Sequence, residues 1–295
     1  MNTASDVMES APGVRARAVD AWTAFWADAD QSRCAAGAPE IGLALTNHWS
    51  NFARSLAPGT PILDLGCGAC AVGRLVVGAS ADLHVTGIDA ATTPRTPHPR
   101  IDVLSHTAME ALPFTGRRFG AVVSQFGYEY SRIDVTAREV ARVVTPGARL
   151  SLLVHHDESA IVASTRARLD AIERLLGASL RAAFCAGDAA GFHAQMTALI
   201  ALHPHDDLVA CLARALQPRV ASPQAKRIAT WSAIEEALAP ERCVSEALCE
   251  CCVPALRLDE WLEPLRATCR LLPVSVLREP NGAAIAWKIE GVYAG

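Results

Sequence analysis

The 295-residue sequence has no run of about 20 consecutive apolar residues, the length that a membrane-spanning helix needs. Its first residues, "MNTASDVMESAPGVRARAVD", lack the apolar centre of a secretory leader. Together these absences predict a cytoplasmic protein with no membrane partner. Basic runs are missing too: Lys226 and Lys288 are the only lysines, and the formal net charge is −4. That balance excludes general nucleic-acid binding through phosphates as an expected role. Ten cysteines are present, but Cys243, Cys249, Cys251 and Cys252 do not make the two C-x-x-C pairs of a zinc site, and no histidine falls among them. They read as reduced thiols that pack as small apolar groups. "HPHDD" at 203–207 has no identifiable partner ligands and reads as a polar loop, so no metal is expected.

What is present fits an ordinary globular protein. Apolar residues make up 51% and charged residues 20% of a chain long enough to bury one large core or two modest ones. Residues 15–56 read as helical, with Trp22, Phe25, Trp26, Trp49 and Phe52 as bulky positions. Strands are predicted at 62–65, "LHVTGID" (83–89), 101–105, 121–126 and 148–156. Helices are expected from about 69 to 80 and from Ile133 to Val144, the second stopped by Pro146-Gly147. Pro94, Pro97 and Pro99 exclude a regular helix from 90–100, where an α/β unit usually has its crossover. Residues 158–250 keep a helical period, and strands return at 271–279 and 283–293. These flank Pro280-Asn281-Gly282, a hairpin signal whose Asn-Gly pair is expected to place both residues at positive φ.

The expected fold is therefore α/β: a Rossmann-like, mostly parallel seven-stranded sheet with a C-terminal antiparallel hairpin. A helical cap is inserted before the last two strands. The expected domains are an N-terminal helical lid (1–56), a core (57–157 with 268–295) and a helical cap or substrate insert (158–267). Trp22, Phe25 and Trp26 can serve such a lid, although aromatics at helical spacing more often belong to a core.

The segment "ILDLGCGACAVG" (62–73) carries the first chemical signal. Gly66, Gly68 and Ala71 have the spacing of a dinucleotide turn, in which backbone and helix N–H groups approach a nucleotide. Asp64, two residues before the first glycine, argues against a pyrophosphate. A carboxylate beside that charge costs roughly a few kcal/mol per pair at an effective dielectric near 20. It favours a ligand bearing an ammonium or sulfonium. Asp89, at the end of the second strand, can accept from ribose hydroxyls.

In order, "LDLGCGAC", "GID", "MEALPF" (109–114), "RRFGAVVSQFGYEY" (117–130) and "REVARVVTPGARLSLLVHH" (138–156) resemble the motifs of class I S-adenosylmethionine-dependent methyltransferases. The resemblance spans residues 60–156. It implies S-adenosylmethionine as cofactor, held by Asp64, Gly66, Cys67, Gly68, Asp89, Ala90, Ala108, Met109, Ser124 and Gln125. Three positions depart from the pattern: Cys70 for the third glycine, Ala108 for the adenine-facing acid, and Gly120 for an aspartate in the fourth strand.

Ligands of open α/β sheets bind beyond the carboxyl ends of the strands, which points to the ends of the fourth and fifth. Methyl transfer is an in-line displacement, so a base is needed only when the acceptor must lose a proton. His155 and His156 suit that task, Glu129 can orient the acceptor or bind an ammonium, and Tyr128 and Tyr130 are expected to line the acceptor site. The expected activity is methylation of a small molecule. The alternatives are a non-catalytic methyltransferase-like binding subunit, suggested by the three departures, and a nicotinamide-dependent oxidoreductase.

Overall fold

A computed structural model describes residues 12–27, 39–94 and 98–294. The parts of the expected N-terminal lid at 1–11 and 28–38, and residues 95–97 of the proline-rich segment, lie outside the described residues. Two helices precede the sheet, α1 (Pro12–Ala27) and α2 (Pro39–Arg54). The sheet then alternates with helices through β1 (Pro61–Leu65), α3 (Ala71–Ala79), β2 (His84–Ile88), β3 (Ile101–Leu104), β4 (Phe119–Gln125), α4 (Ile133–Val143) and β5 (Val144–His155). Five helices follow: α5 (Ala160–Leu175), α6 (Ala178–Ala186), α7 (Ala189–Leu202), α8 (Asp207–Leu216) and α9 (Gln224–Cys251). Then come α10 (Leu258–Arg266) and the strands β6 (Cys269–Leu271), β7 (Ser275–Arg278) and β8 (Ala284–Tyr293).

Strand order is β3-β2-β1-β4-β5-β8-β6, with β7 also on β8. Strands β1 to β5 are parallel, and β8 runs antiparallel to β5, β6 and β7. The expected seven-stranded sheet thus has seven positions but eight strands. Its outermost position is split, because Leu272-Pro273-Val274 interrupts β6 and β7 along the flank of β8. Proline cannot donate to a ladder, which accounts for the break.

Alternate residues of each strand feed two cores. Ile62, Val85, Val123 and Leu153 face one side with Val76 of α3 and Ile41, Leu45, Trp49 and Phe52 of α2. Leu63, Leu65, Val122, Leu152 and Ile289 face the other with Ile133, Ala137 and Val140 of α4 and Leu262 and Leu265 of α10. Burying each large side chain of this kind contributes roughly 1.5–3 kcal/mol.

Two local expectations need correction. Helix α4 ends at Val143, and Pro146-Gly147 lies inside β5, where the pairing with β4 jumps from Phe119↔Val144 to Ala121↔Arg149. The C-terminal hairpin forms, but only Gly282 (φ 90) of its Asn-Gly pair is left-handed. Asn281 instead accepts the Ala283 N–H on its side-chain oxygen at 2.8 Å, within a five-residue loop between Arg278 and Ala284. As the three prolines dictate, no helix joins β2 to β3 among the described residues.

The chain divides into two compact units, one of residues 1–163 and 247–295 and one of Ser164–Glu246. The second is all helical, around Phe184, Phe192, Leu199 and Trp231. No helix of the described residues is long and apolar enough to cross a membrane.

His48 of α2 hydrogen-bonds Ser151 of β5 at 3.0 Å through Nε2 and meets Trp49 edge-on. Burial lowers its pKa to about 4, with Lys288 lowering it further and Glu290 opposing. A histidine held neutral in the fold contributes stability above the unfolded value near 6.5, and that stability is lost as the pH falls toward 4. Unfolding free energy should therefore drop by on the order of 3 kcal/mol between pH 6.5 and 4. Denaturant titrations of wild type and His48→Asn check this: the variant should lose most of that drop, and equal slopes would exclude the assignment.

Candidate active site

The order β3-β2-β1-β4-β5 reverses direction between β1 and β4, so the crevice for a ligand opens beyond the carboxyl ends of these two strands. Backbone pairing of β1 with β4 stops at Asp64↔Val123. From there the Ser124 hydroxyl continues the link, donating to the Leu65 carbonyl at 2.7 Å. Gly66 and Gly127 then cross closely: a Cβ on Gly66 would lie 3.1 Å from the Gly127 Cα, and one on Gly127 3.0 Å from the Leu65 oxygen. Ser124 is fully buried, and its hydroxyl clamps the two strand ends together.

Residues 66–70 form a tight loop into α3. The Cys67 N–H donates to Ile88 O at 2.9 Å and the Cys70 N–H to Cys67 O at 2.7 Å. Asp89 accepts the Gly68 N–H on Oδ2 at 2.8 Å and the Ala91 N–H on Oδ1 at 2.9 Å. Burial raises the Asp89 pKa, and these two N–H groups oppose the rise. Each oxygen keeps capacity for another donor such as a ribose hydroxyl. Ala90 beside it is exposed.

Asp64 is buried to 1% exposure, and its Oδ2 has no hydrogen-bond partner among the described residues. Burial pushes its carboxyl well above the usual range, nearby Cys70 and Asp89 add to this, and the Gly73 N–H partly opposes. An unsatisfied buried carboxylate oxygen beneath a glycine loop suits a cationic ligand and opposes a pyrophosphate.

Cys67 and Cys70 are both buried. The hydrogen bond to Cys70, and then burial, push the Cys67 thiol well above its ordinary value, so this pair is unreactive packing. Cys70 is left-handed at φ 59, as are His106 (56) and Phe126 (56). These three, the left-handed non-glycine residues among the described ones, follow β1, β3 and β4 at the carboxyl ends of the strands. Strain of this sort gathers where a site over-determines the backbone.

The stretch 109–114 is fastened by a pair that the sequence reading missed. Glu139 of α4 accepts the Leu112 N–H at 3.0 Å, and Arg142 donates to the carbonyls of Leu112 and Phe114 at 3.0 and 2.7 Å. An acid and an arginine at i, i+3 were visible as a helix-surface pair, but nothing local reveals that they hold a distant loop. Met109 is thereby placed against Gly66, its Cε 3.5 Å from where a Cβ would stand. Ala108 is exposed. Gly120 has a local reason: a Cβ there would lie 2.9 Å from Thr60 Cγ2.

The "YEY" turn (Tyr128–Tyr130) and the end of β5 build the opposite wall. Glu129 is 2% exposed, and its Oε1 accepts both the His155 N–H at 3.0 Å and His155 Nδ1 at 2.7 Å. Against a carboxylate oxygen Nδ1 is the donor, which leaves Nε2 as the ring nitrogen of His155 not engaged by Glu129. Phe126 stacks on the His155 ring at 4.4 Å, and Tyr130 meets it edge-on at 6.3 Å. Gln125 is tied back to α2, its oxygen accepting the Trp49 indole N–H at 2.7 Å.

Two expected site residues turn elsewhere. Tyr128 is fully buried in the core with Trp261, and burial drives its phenol far above the usual range. His156, adjacent to His155 on an alternating strand, points the other way. It stacks on Trp287 at 4.2 Å, and its Nδ1 accepts the Glu158 N–H at 3.1 Å. The structure therefore joins His155, Glu129 and Tyr130, and separates His156 and Tyr128 from them.

The sheet order, the glycine loop and the acid after β2 define the Rossmann-like fold of class I methyltransferases. Residues 63–152 match a methyltransferase-domain family, which places the match on β1 through β5. A methyltransferase in complex with the Trm112 methyltransferase activator of Haloferax volcanii is similar at TM-score 0.52 and 12% identity, over 94% of this chain and 98% of that one. The 1,6-didemethyltoxoflavin-N1-methyltransferase of Burkholderia thailandensis, with 1,6-didemethyltoxoflavin and S-adenosylhomocysteine bound, is similar at TM-score 0.52 and 10% identity, over 97% and 92%. At these identities both describe the fold. None of the curated proteins matches the chain.

The left-handed strain at Cys70 predicts a nearly neutral substitution. Glycine there relieves about 1 kcal/mol of backbone strain and gives up about as much buried surface. Calorimetric melting of Cys70→Gly should stay within a few degrees of wild type; a large loss would mean that the thiol contact holds the loop.

Proposed function

We propose that this methyltransferase methylates a small molecule whose N–H or O–H proton is taken by His155. The observation that carries the reading is the buried hydrogen bond from His155 Nδ1–H to Glu129 Oε1 at 2.7 Å. It fixes the tautomer that leaves Nε2 as a base. In this reading Asp64, the loop 66–68, Asp89 and the 109–112 stretch hold the donor. Asp64 supplies charge, Asp89 the remaining acceptor capacity toward ribose, and Met109 and Leu112 an apolar wall.

When bound, S-adenosylmethionine supplies a methyl group already activated on a sulfonium, so the protein need not furnish a nucleophile. The chain's own contribution is alignment and proton removal. Tyr130 and Phe126 hold the imidazole between two rings, and Glu129 keeps its proton on the far nitrogen. The positive charge that develops on the ring as it takes the acceptor's proton is stabilised by the same carboxylate. The unpartnered Asp64 Oδ2 supports a cationic donor over the nicotinamide alternative. The alternative of a non-catalytic subunit loses one of its motives, because Gly120 answers to packing against Thr60.

Titration calorimetry with S-adenosylhomocysteine should show binding, and no heat or thermal shift up to millimolar ligand would sink the donor assignment. With an acceptor in hand, His155→Gln should lower kcat/KM by about 10²-fold or more and leave donor affinity within threefold. Loss of donor binding instead would make His155 structural. Burial opposes the charged form of Asp64 and a bound cation favours it, so donor uptake should release protons, seen as a buffer-dependent binding heat; a heat independent of buffer would remove Asp64 from the donor site.

A further inference from the structure

Helix α1 reaches into the space in front of the glycine loop. A Cβ placed on Gly68 would fall 2.3, 2.5 and 2.9 Å from Cζ2, Cη2 and Cε2 of Trp26. The indole therefore rests directly on the bare face of that glycine. Trp22 stacks on Trp26 at 5.9 Å and 24°, and meets Tyr130 edge-on at 5.5 Å. Phe25 packs edge-on against both tryptophans at 5.4 and 5.1 Å. Thr23 Oγ1 accepts the Thr92 N–H at 3.1 Å.

These attachments share one location. Gly68 follows β1, Thr92 follows β2 and Tyr130 follows β4, so α1 is fastened across the carboxyl ends of three strands. Its three aromatics are only half-buried, unlike the core tryptophans Trp49 and Trp231, which are 0% exposed. A set that only completed a core would be sealed in the same way. Cavities of about 520 and 380 Å³ lie elsewhere, the first lined by α2 with β7 and β8, the second by α10 with residues 271–274. Neither is lined by the glycine loop.

We propose that Trp26 is a plug in the donor site. Its indole fills the face of Gly68 that a nucleoside must approach, so α1 must lift from the loop before the donor enters. This rests on the donor reading of the site. Gly68, bare of a Cβ, then serves two occupants in turn, the protein's own indole and the ligand. Donor affinity is reduced in proportion to the fraction of time that α1 is lifted, and each turnover includes one release and one return of the helix.

Hydrogen exchange of the full-length wild-type chain tests this directly. Adding S-adenosylhomocysteine should raise amide exchange across 19–27 at least threefold, because the displaced helix loses its anchors. Exchange that falls or stays the same would overturn the plug, the first result making Trp26 a wall that closes on the ligand. Stopped-flow binding gives the second measure: Trp26→Ala should bind S-adenosylhomocysteine about tenfold faster and more tightly, with Trp26→Phe between. A variant that binds more slowly, or at the wild-type rate, would overturn it as well. If neither wild type nor a folded Trp26→Ala takes up the ligand at millimolar concentration, the donor reading itself falls and the plug with it. If Trp26→Ala does not fold, exchange in the wild type decides alone.

Discussion

The hydroxyl of Ser124 bonded to the Leu65 carbonyl is the contact on which the rest of the crevice depends. It acts where the backbone ladder between β1 and β4 gives out, one residue past Asp64↔Val123. Had the ladder continued, the two strand ends would stay parallel and no crevice would open. Had nothing replaced it, they would be free to splay. One buried hydroxyl keeps them a fixed distance apart, and the Gly66–Gly127 crossing then sends one chain toward α3 and the other into the "YEY" turn. Everything assigned to the donor hangs from the first branch, and the His155–Glu129 pair meets the second.

Two buried carboxylates stand on these branches, and each leaves one oxygen unsatisfied among the described residues: Asp64 Oδ2 and Glu129 Oε2. An unmade hydrogen bond at a buried charged group is costly, so a fold keeps it only where something else gains. For Glu129 the gain is a histidine held by two donors on one oxygen, an arrangement that fixes both the ring and its tautomer. For Asp64 it is a carboxyl under the glycine loop whose charged form a cationic ligand would favour. The left-handed Cys70, His106 and Phe126 belong to the same pattern of local cost gathered at one edge of the sheet.

Much of this was legible in the sequence because it is local. Period-two strands, the Gly66-x-Gly68 turn, Asp89 closing β2 and the three prolines that forbid a crossover helix all state their consequences within a few residues. What was not legible depends on direction or on distance. Alternation along β5 allows either His155 or His156 to face the site, and only the partner across the crevice, Glu129, decides it. Tyr128 and Tyr130 flank the same glutamate, yet a 3-10 turn sends the first into the core beside Trp261 and leaves the second at the rim. Ser124 stands near the end of a strand, and its carbonyl partner lies 59 residues away. The grip of Glu139 and Arg142 on the 109–114 stretch is equally remote from either segment read alone.

The split outer strand carries a consequence for how the chain behaves among its own copies. A sheet edge with free backbone groups is a template for another strand. Here one edge is broken between β6 and β7 at Pro273, so neither piece offers more than four residues in register. The other edge, β3, is itself only four residues long and begins from the His98↔Ile101 bridge. Both margins of the sheet thus offer only short edges to a neighbour, one because β3 is brief and the other because Pro273 divides the outer position into β6 and β7.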